Sequence, residues 1–290
     1  MVALNDNGDV VGASATGGVL WHGPTHERST LPIIPTGIAN DGTIAGSIDG
    51  HAATWKNGHT TVLDTAASIA KAICRCETAT VVGSVEVNGE THAAIWVDGI
   101  RIDAGVPPNS THAEFSSIAT GFAVANAIVR TPDPRTGGFG NFPVAFSWSP
   151  AGGWLRATQA GAFLPVSTIV SVNSHGIGVG SGLEFNIPEN KAVYYDLAAG
   201  TAVFEEGSYL PRFSGIAPTG INESQQVSET AEAFGSTGDF GSVALVTANR
   251  TGIGLVLPPG IIGDKTAGIN SAGIVGGQSN GLPVLWIPNP

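Results

Sequence analysis

Seven tetrapeptides recur along the chain, each opening on a small or apolar residue and closing on an aromatic residue or an apolar stand-in. They are Gly18-Val19-Leu20-Trp21, Ala52-Ala53-Thr54-Trp55, Ala93-Ala94-Ile95-Trp96, Ala145-Phe146-Ser147-Trp148, Ala192-Val193-Tyr194-Tyr195, Val243-Ala244-Leu245-Val246 and Pro283-Val284-Leu285-Trp286. Trp21 and Trp286 enclose six intervals in 265 residues, so the repeat is about 44 residues long, the period of a four-stranded propeller blade rather than of a helical solenoid. The expected fold is all-β: a seven-bladed β-propeller of four-stranded antiparallel blades. It fills residues 1–290 as one domain, with blades at about 1–35, 36–67, 68–109, 110–163, 164–210, 211–259 and 260–290.

The second repeat shows the blade plan. Gly37-Ile38-Ala39-Asn40-Asp41-Gly42 reads as a strand ending in a turn, and Thr43 to Ser47 as the next strand. Asp49-Gly50 turns into Ala52–Trp55, and Asn57-Gly58 turns into Thr60–Leu63. Both pairs suit tight hairpins because Asn, Asp and Gly accept left-handed backbone. The four strands are a to d from the axis outward. Equivalent a–b turns stand at Asn5-Asp6-Asn7-Gly8, Asn173-Ser174-His175-Gly176, Asn222-Glu223-Ser224 and Asn270-Ser271-Ala272-Gly273.

This pattern resembles the repeats of the HAF family of β-propeller proteins, and is similar to kelch blades in strand order. The resemblance covers nearly the whole chain and weakens in the fourth and sixth repeats, near Asn126 and Ser228. It implies a scaffold without a shared catalytic motif, so it carries fold and little else. The last repeat ends just after strand c, while Met1 opens on strand a. Either the seventh blade is three-stranded and the ring closes by side-chain packing, or a terminal segment outside this sequence completes it.

Charge excludes one class of partner. Lys and Arg number 12 against 23 Asp and Glu, for a net charge of −11, whereas a nucleic-acid surface needs clustered cations. No run is apolar enough to span a membrane, and no basic, apolar and small-residue leader opens the chain. A monomeric cytoplasmic protein is expected, with the mature form of a secreted domain as the alternative. Two cysteines do not make a disulfide scaffold.

The repeats are unequal on one face. From Gly12, Gly46, Gly83, Asn126, Gly180, Ser228 and Gly276 to the closing residues the spacings are 9, 9, 13, 22, 15, 18 and 10. The b–c loops of blades four to six are therefore elaborated, and with the d–a connections they surround the loop-face mouth of the channel. Arg130, Phe139, Phe142, Phe185, Glu232, Phe234 and Phe240 lie in these loops, and read as walls of a ligand pocket. His112, Glu114, Arg212, Asp264 and Lys265 lie on the connections, and are the candidates for proton transfer.

His51 and His92 hold matched positions before strand c, which favours turn caps over acid–base groups. Cys74-Arg75-Cys76 lies on the innermost strand of blade three, where Ile73 to Gly83 is two residues longer than Ile38 to Gly46. That predicts a bulge near the channel. Two small buried thiols are expected there, since the spacing is not that of structural zinc and no second Cys pair exists. No nucleophile elbow, zinc-protease helix, phosphate loop or dinucleotide fingerprint is present.

The sequence thus points to a propeller acting on a small, partly apolar organic molecule in a loop-face pocket. Acid–base chemistry without cofactor or metal, of lyase, isomerase, cyclase or hydrolase type, is the expectation. The alternative is a non-catalytic module recognising a protein, peptide or carbohydrate on that face.

Overall fold

The computed structural model describes residues 2–14, 17–23, 25, 27–76, 79–133, 136–158, 160–161, 166–183, 191–204, 213–234, 240–248, 255–256 and 263–288, with backbone alone at 160–161, 213–214, 233–234, 240, 248 and 255–256. Among these residues there is strand and turn but no helix. Seven antiparallel meanders follow one another around an axis. Their innermost strands are Ala3–Leu4, Ile34–Ile38, Ser68–Ile73, Ser110–Ala119, Val166–Val172, Phe213–Ile221 and Lys265–Ile269. Blades one to six have strands a to d, and blade five gains a two-residue strand, Ala160–Gly161, parallel to its outermost one. Blade seven has three strands, Lys265–Ile269, Val275–Ser279 and Leu282–Trp286.

Apolar residues are buried chiefly between neighbouring blades. Val11, Leu20 and Leu31 of blade one pack with Ile38, Ile44 and Ala53 of blade two. Similar clusters join blades two and three, three and four, four and five, five and six, and six and seven. Ala52, Ala53, Ala93, Ala94, Ala145, Ala192 and Ala244 have no exposed surface, and their small volume explains the recurring alanines of strand c, since bulkier side chains would hold adjacent sheets apart. Among the described residues no such cluster joins blades seven and one.

The innermost strands share a device that the sequence does not advertise. In blade two Pro35 faces Gly46 and Gly37 faces Ala45, so Thr36 is an unpaired bulge. The same register shift leaves Lys71, Ser116, Val170, Thr219 and Ala267 unpaired in blades three to seven. A bulge turns the extra side chain away from the ladder and leaves one carbonyl opposite without its partner. Thr36, Ser116 and Thr219 each donate their hydroxyl to that carbonyl, on Ala45, Val124 and Ser228.

In blades two, three, five and seven, though not in blades four and six, the bulge sits against a strand b glycine. It pushes a carbonyl of strand a against strand b, so that a Cβ on Gly83 would lie 1.9 Å from Ile69 O, and one on Gly46 would lie 2.3 Å from Ile34 O. Register places Ala125, Glu229 and Gly277 at this rank, each one residue from Asn126, Ser228 and Gly276, where the repeats align by sequence.

The a–b turns tie the blades together. Asn173 Nδ2 donates to Asn222 O (3.1 Å), Asn222 Nδ2 to Asn270 O (3.0 Å), Asn270 Nδ2 to Asn5 O (3.2 Å) and Asn5 Nδ2 to Ala39 O (3.1 Å). All four asparagines are buried, and each Oδ1 accepts an amide of its own turn, such as Ile274 N–H on Asn270. The expected turn chemistry is therefore present, and it is coupled to a relay running from blade five through six, seven and one to two. Asn126 plays a related part at the boundary of blades four and five, accepting Ile169 N–H and donating to Ile169 O.

Candidate functional site

The seven innermost strands enclose an axial channel of about 470 Å³. Its wall is layered because successive ranks of the strands face the axis. The first ring holds Val2 and the bulged residues. Below it Leu4, Ile38, Ile73, Ile118, Val172, Ile221 and Ile269 form an apolar ring, and at the turn face Asp6, Asn40, Arg75, Thr120, Ser174, Glu223 and Ser271 form a polar rim. Within that rim Asn40 Nδ2 donates to Asp6 Oδ2 (2.7 Å), Ser271 N–H to Asp6 Oδ1 (2.8 Å) and Ser174 Oγ to Glu223 Oε2 (2.5 Å).

One charge stands in the bulge ring. Lys71 occupies the rank that holds small neutral residues in the other blades, and its Nζ lies 3.1 Å from Glu114 Oε1 on the innermost strand of blade four. The two side chains keep 36% and 29% of their surface, so the pair is open to solvent, and Lys71 lines the channel. Glu114 precedes the Ser116 bulge by two residues, as Thr168 precedes the Val170 bulge in blade five. Glu114 and Thr168 therefore share a level at the loop-face mouth.

Thr168 also belongs to a second concavity. A cleft of about 340 Å³ between blades four and five is lined by Asp133, Phe142, Pro143, Val166, Ser167, Thr168, Ser181, Gly182 and Leu183. It exists because the Phe122–Pro132 and Phe139–Ser149 strands continue the blade four hairpin beyond its neighbours, so most of the 22-residue spacing read as a loop, with Arg130, Phe139 and Phe142, is paired strand instead. The floor is fixed from below, where Tyr195 Oη donates to Thr168 O at 2.9 Å. Burial pushes the Tyr195 phenol far above its usual pKa, against a smaller lowering by Ser167.

The expected site residues do not converge on one point. Glu114 is at the channel mouth, and His112, half-buried, precedes it on the same strand, which touches blade three through the Thr91–His112 bridge. Lys265 is exposed, while Asp264 has no exposed surface and, among the described residues, neither carboxylate oxygen is hydrogen-bonded. Of the wall residues, Phe142 lines the cleft. Phe139 is 65% exposed with the Arg130 guanidinium 5.8 Å from its ring centroid. Glu232 is exposed. Phe234 and Phe240 face each other in backbone register at the end of the blade six hairpin, and their side chains, like Phe185 and Arg212 entirely, lie outside the described residues.

His51 caps a turn, as its repetition suggested, whereas His92 pairs with carboxylates. His51 Nδ1 binds Ala66 O at 2.9 Å, and His92 Nδ1 lies 3.0 Å from Asp103 Oδ1. Cys74 and Cys76 correct the expectation of two thiols, because their sulfurs are bonded to each other. The two extra residues of blade three lengthen its a–b turn, since Ile73 pairs with Val81 where Ile38 pairs with Ile44. The bulge of that strand lies instead at Lys71.

Arg75, in that turn, reaches across the channel to Leu4 O (2.9 Å) and Ile269 O (3.3 Å). Wall atoms on all sides lower its pKa by desolvation, against the raising influence of Asp6 and Glu223, although the side chain keeps 35% of its surface toward channel water. Lys71 and Arg75 were missed as site residues because neither has a counterpart in the other repeats. That singularity is the signal that would have found them. Among the described residues no group of three or more His, Cys, Asp or Glu side chains is arranged to hold a metal.

No family model matches the chain, and no curated protein matches it. Among solved structures it is similar to an oligogalacturonate lyase from Vibrio parahaemolyticus, with a TM-score of 0.62 and 7% identity over 98% of this chain and 87% of that one. The β-propeller domain of the Trilobed protease from Pyrococcus furiosus, described as having an open velcro topology, gives 0.59 and 13% over 96% and 89%. A putative TolB from Agrobacterium tumefaciens gives 0.51 and 10% over 79% and 82%. At these identities the likeness shows the β-propeller fold alone.

Proposed function

We propose that the protein is a small-molecule-binding propeller that holds a partly apolar organic molecule on its loop face. The apolar part of the ligand lies in the cleft against Phe142, Pro143, Val166 and Leu183, and its polar end meets Lys71 and Glu114. The observation that carries this reading is the one charged residue of the bulge ring, paired with a carboxylate that stands level with the cleft floor. A repeat that keeps six small neutral residues at a rank and changes the seventh to lysine has departed from what the scaffold requires.

The same pair supports acid–base conversion without a cofactor. Glu114 is placed to take a proton from a bound carbon or hydroxyl acid, and Lys71 to offset negative charge developing on the adjacent oxygen. Elimination, isomerisation, cyclisation and hydrolysis all need that division of roles. The HAF-like repeat supports the scaffold and carries no reaction. A binding module for a peptide or carbohydrate would use the same face through the exposed Phe139 and Arg130.

Saturation-transfer NMR with a panel of aliphatic and aromatic hydroxy- and oxo-acids tests the reading, comparing the native protein with Lys71→Met, Glu114→Gln and Phe142→Ala. Binding is expected to weaken roughly tenfold or more in each variant, with folding intact. A ligand transformed over hours by the native protein but not by Glu114→Gln establishes catalysis. Ligands bound equally by all four proteins would place the site elsewhere.

A further inference from the structure

A crosslink from Cys74 to Cys76 spans one residue, and so short a loop removes little entropy from the unfolded chain. Its effect is local and falls on the enclosed Arg75. That side chain leaves blade three altogether. Nη2 donates to Leu4 O at 2.9 Å and to Ile269 O at 3.3 Å, Nη1 donates to Ile269 O at 3.3 Å, and Nη1 stands 3.8 Å from Asp6 Oδ1. Leu4 and Asp6 belong to blade one and Ile269 to blade seven, so one guanidinium straddles the boundary where the ring closes. The same Asp6 oxygen accepts the Ser271 amide of blade seven.

The two sulfurs are not equivalent. Cys76 is partly exposed and both cysteines line the channel, but Cys74 is 2% exposed and its Sγ accepts the Cys76 amide at 3.2 Å. That amide stabilises negative charge on Cys74, which makes Cys74 the better leaving group and Cys76 the sulfur open to attack.

We propose that Cys74–Cys76 is a thiol–disulfide exchange site whose oxidised form latches Arg75 across the boundary of blades seven and one, and that a soluble dithiol releases the latch. A thiolate of the dithiol attacks Cys76 Sγ from the channel, the S–S bond breaks, and its electron pair departs on Cys74. The second thiolate of the dithiol then attacks the sulfur bonded to Cys76, expelling Cys76 and closing the dithiol's own disulfide. The protein has gained two electrons and, on protonation, two protons. Arg75, no longer held by the three-residue ring, withdraws from Leu4 and Ile269 and widens the turn-face end of the channel.

Hydrogen–deuterium exchange on the native protein, before and after dithiothreitol, reads the latch at the Ser271 amide. Reduction is expected to speed exchange there roughly tenfold and to leave the Ile169 amide, at the boundary of blades four and five, unchanged. The Cys74→Ser/Cys76→Ser protein exchanges fast with or without dithiol, and Arg75→Met exchanges fast while oxidised. The proposal is overturned if mass spectrometry finds two thiols in the air-oxidised protein, if the bond survives dithiothreitol, or if confirmed reduction leaves Ser271 protected. Slow exchange in folded Arg75→Met overturns the role of the guanidinium. The native comparison needs no substitution and stands if a variant does not fold.

Discussion

Asn270 and Asn5 are 265 residues apart in the chain and share a buried hydrogen bond, from Nδ2 of the first to the carbonyl oxygen of the second. The bond belongs to blade seven and blade one, which no shared sheet and, among the described residues, no apolar cluster joins. Asn270→Ala removes it, strands the Ala272 and Ile274 amides that Oδ1 accepts, and is expected to cost about 2–3 kcal/mol. Urea unfolding of the variant measures this, and a loss below about 0.5 kcal/mol would mean that water replaces the amide.

Gly83 tests the bulge. An alanine methyl there would stand 1.9 Å from Ile69 O, whereas one on Gly89, in a hairpin turn at φ +85°, meets nothing within 4 Å. Gly83→Ala is expected to cost about 3 kcal/mol by forcing the strands apart. Gly89→Ala is expected to cost about 1 kcal/mol from backbone conformation alone. Equal midpoints in urea would show that the bulge yields without cost.

Acid should weaken the turn-face rim. Burial tends to raise the Asp6 pKa, but the Ser271 amide, the Asn40 side chain and Arg75 outweigh it, and the net shift is downward. A carboxylate depressed in the folded state binds fewer protons than the unfolded chain does, so stability rises with pH across the window between the two pKa values. The contribution is present above the ordinary aspartate value near 4 and disappears as pH falls through the lower folded value. Asp6→Asn is expected to flatten the pH dependence of the thermal midpoint below about pH 4. An unchanged slope would assign the acid sensitivity to Asp41 and Asp64, which are depressed as well, Asp41 with help from Lys56 and Asp64 with help from Arg101.

Tyr195 holds the cleft floor from beneath. Tyr195→Phe leaves Thr168 O without its hydroxyl donor and is expected to cost about 1–2 kcal/mol. If the ligand rests on that floor, affinity falls several-fold as well, which titration calorimetry resolves. Full affinity with lowered stability would separate the floor from the site.

The blades were legible because four strands and their turns recur every 44 residues or so, and each anchor from Trp21 to Trp286 lies on a strand c. The relay was half legible. A turn asparagine announces its backbone preference, but its acceptor lies 34 to 49 residues away along the chain, or 265 at the seam. Nothing local encodes that partner. Lys71 escaped notice because the repeats align on strand b, while the bulge that exposes it is a property of the a–b register. Ala125 and Glu229 were placed one residue off for the same reason. The spacing of Cys74 and Cys76 was read as two thiols, and it is the turn geometry that brings the sulfurs together. At the loop face, inserted length was readable, but which insertions enclose a cleft depends on packing between blades.

Among the described residues six boundaries carry apolar clusters, whereas the seventh is crossed by hydrogen bonds involving Asn270, Ser271 and Arg75, and the two kinds respond differently to temperature. Hydrophobic contact strengthens as cold protein is warmed, because its drive near room temperature is entropic. Hydrogen bonds to carbonyls and to Asp6 are enthalpic and gain nothing from warming. Heat is therefore expected to open the clasp before the links and to leave the blades stacked in a row.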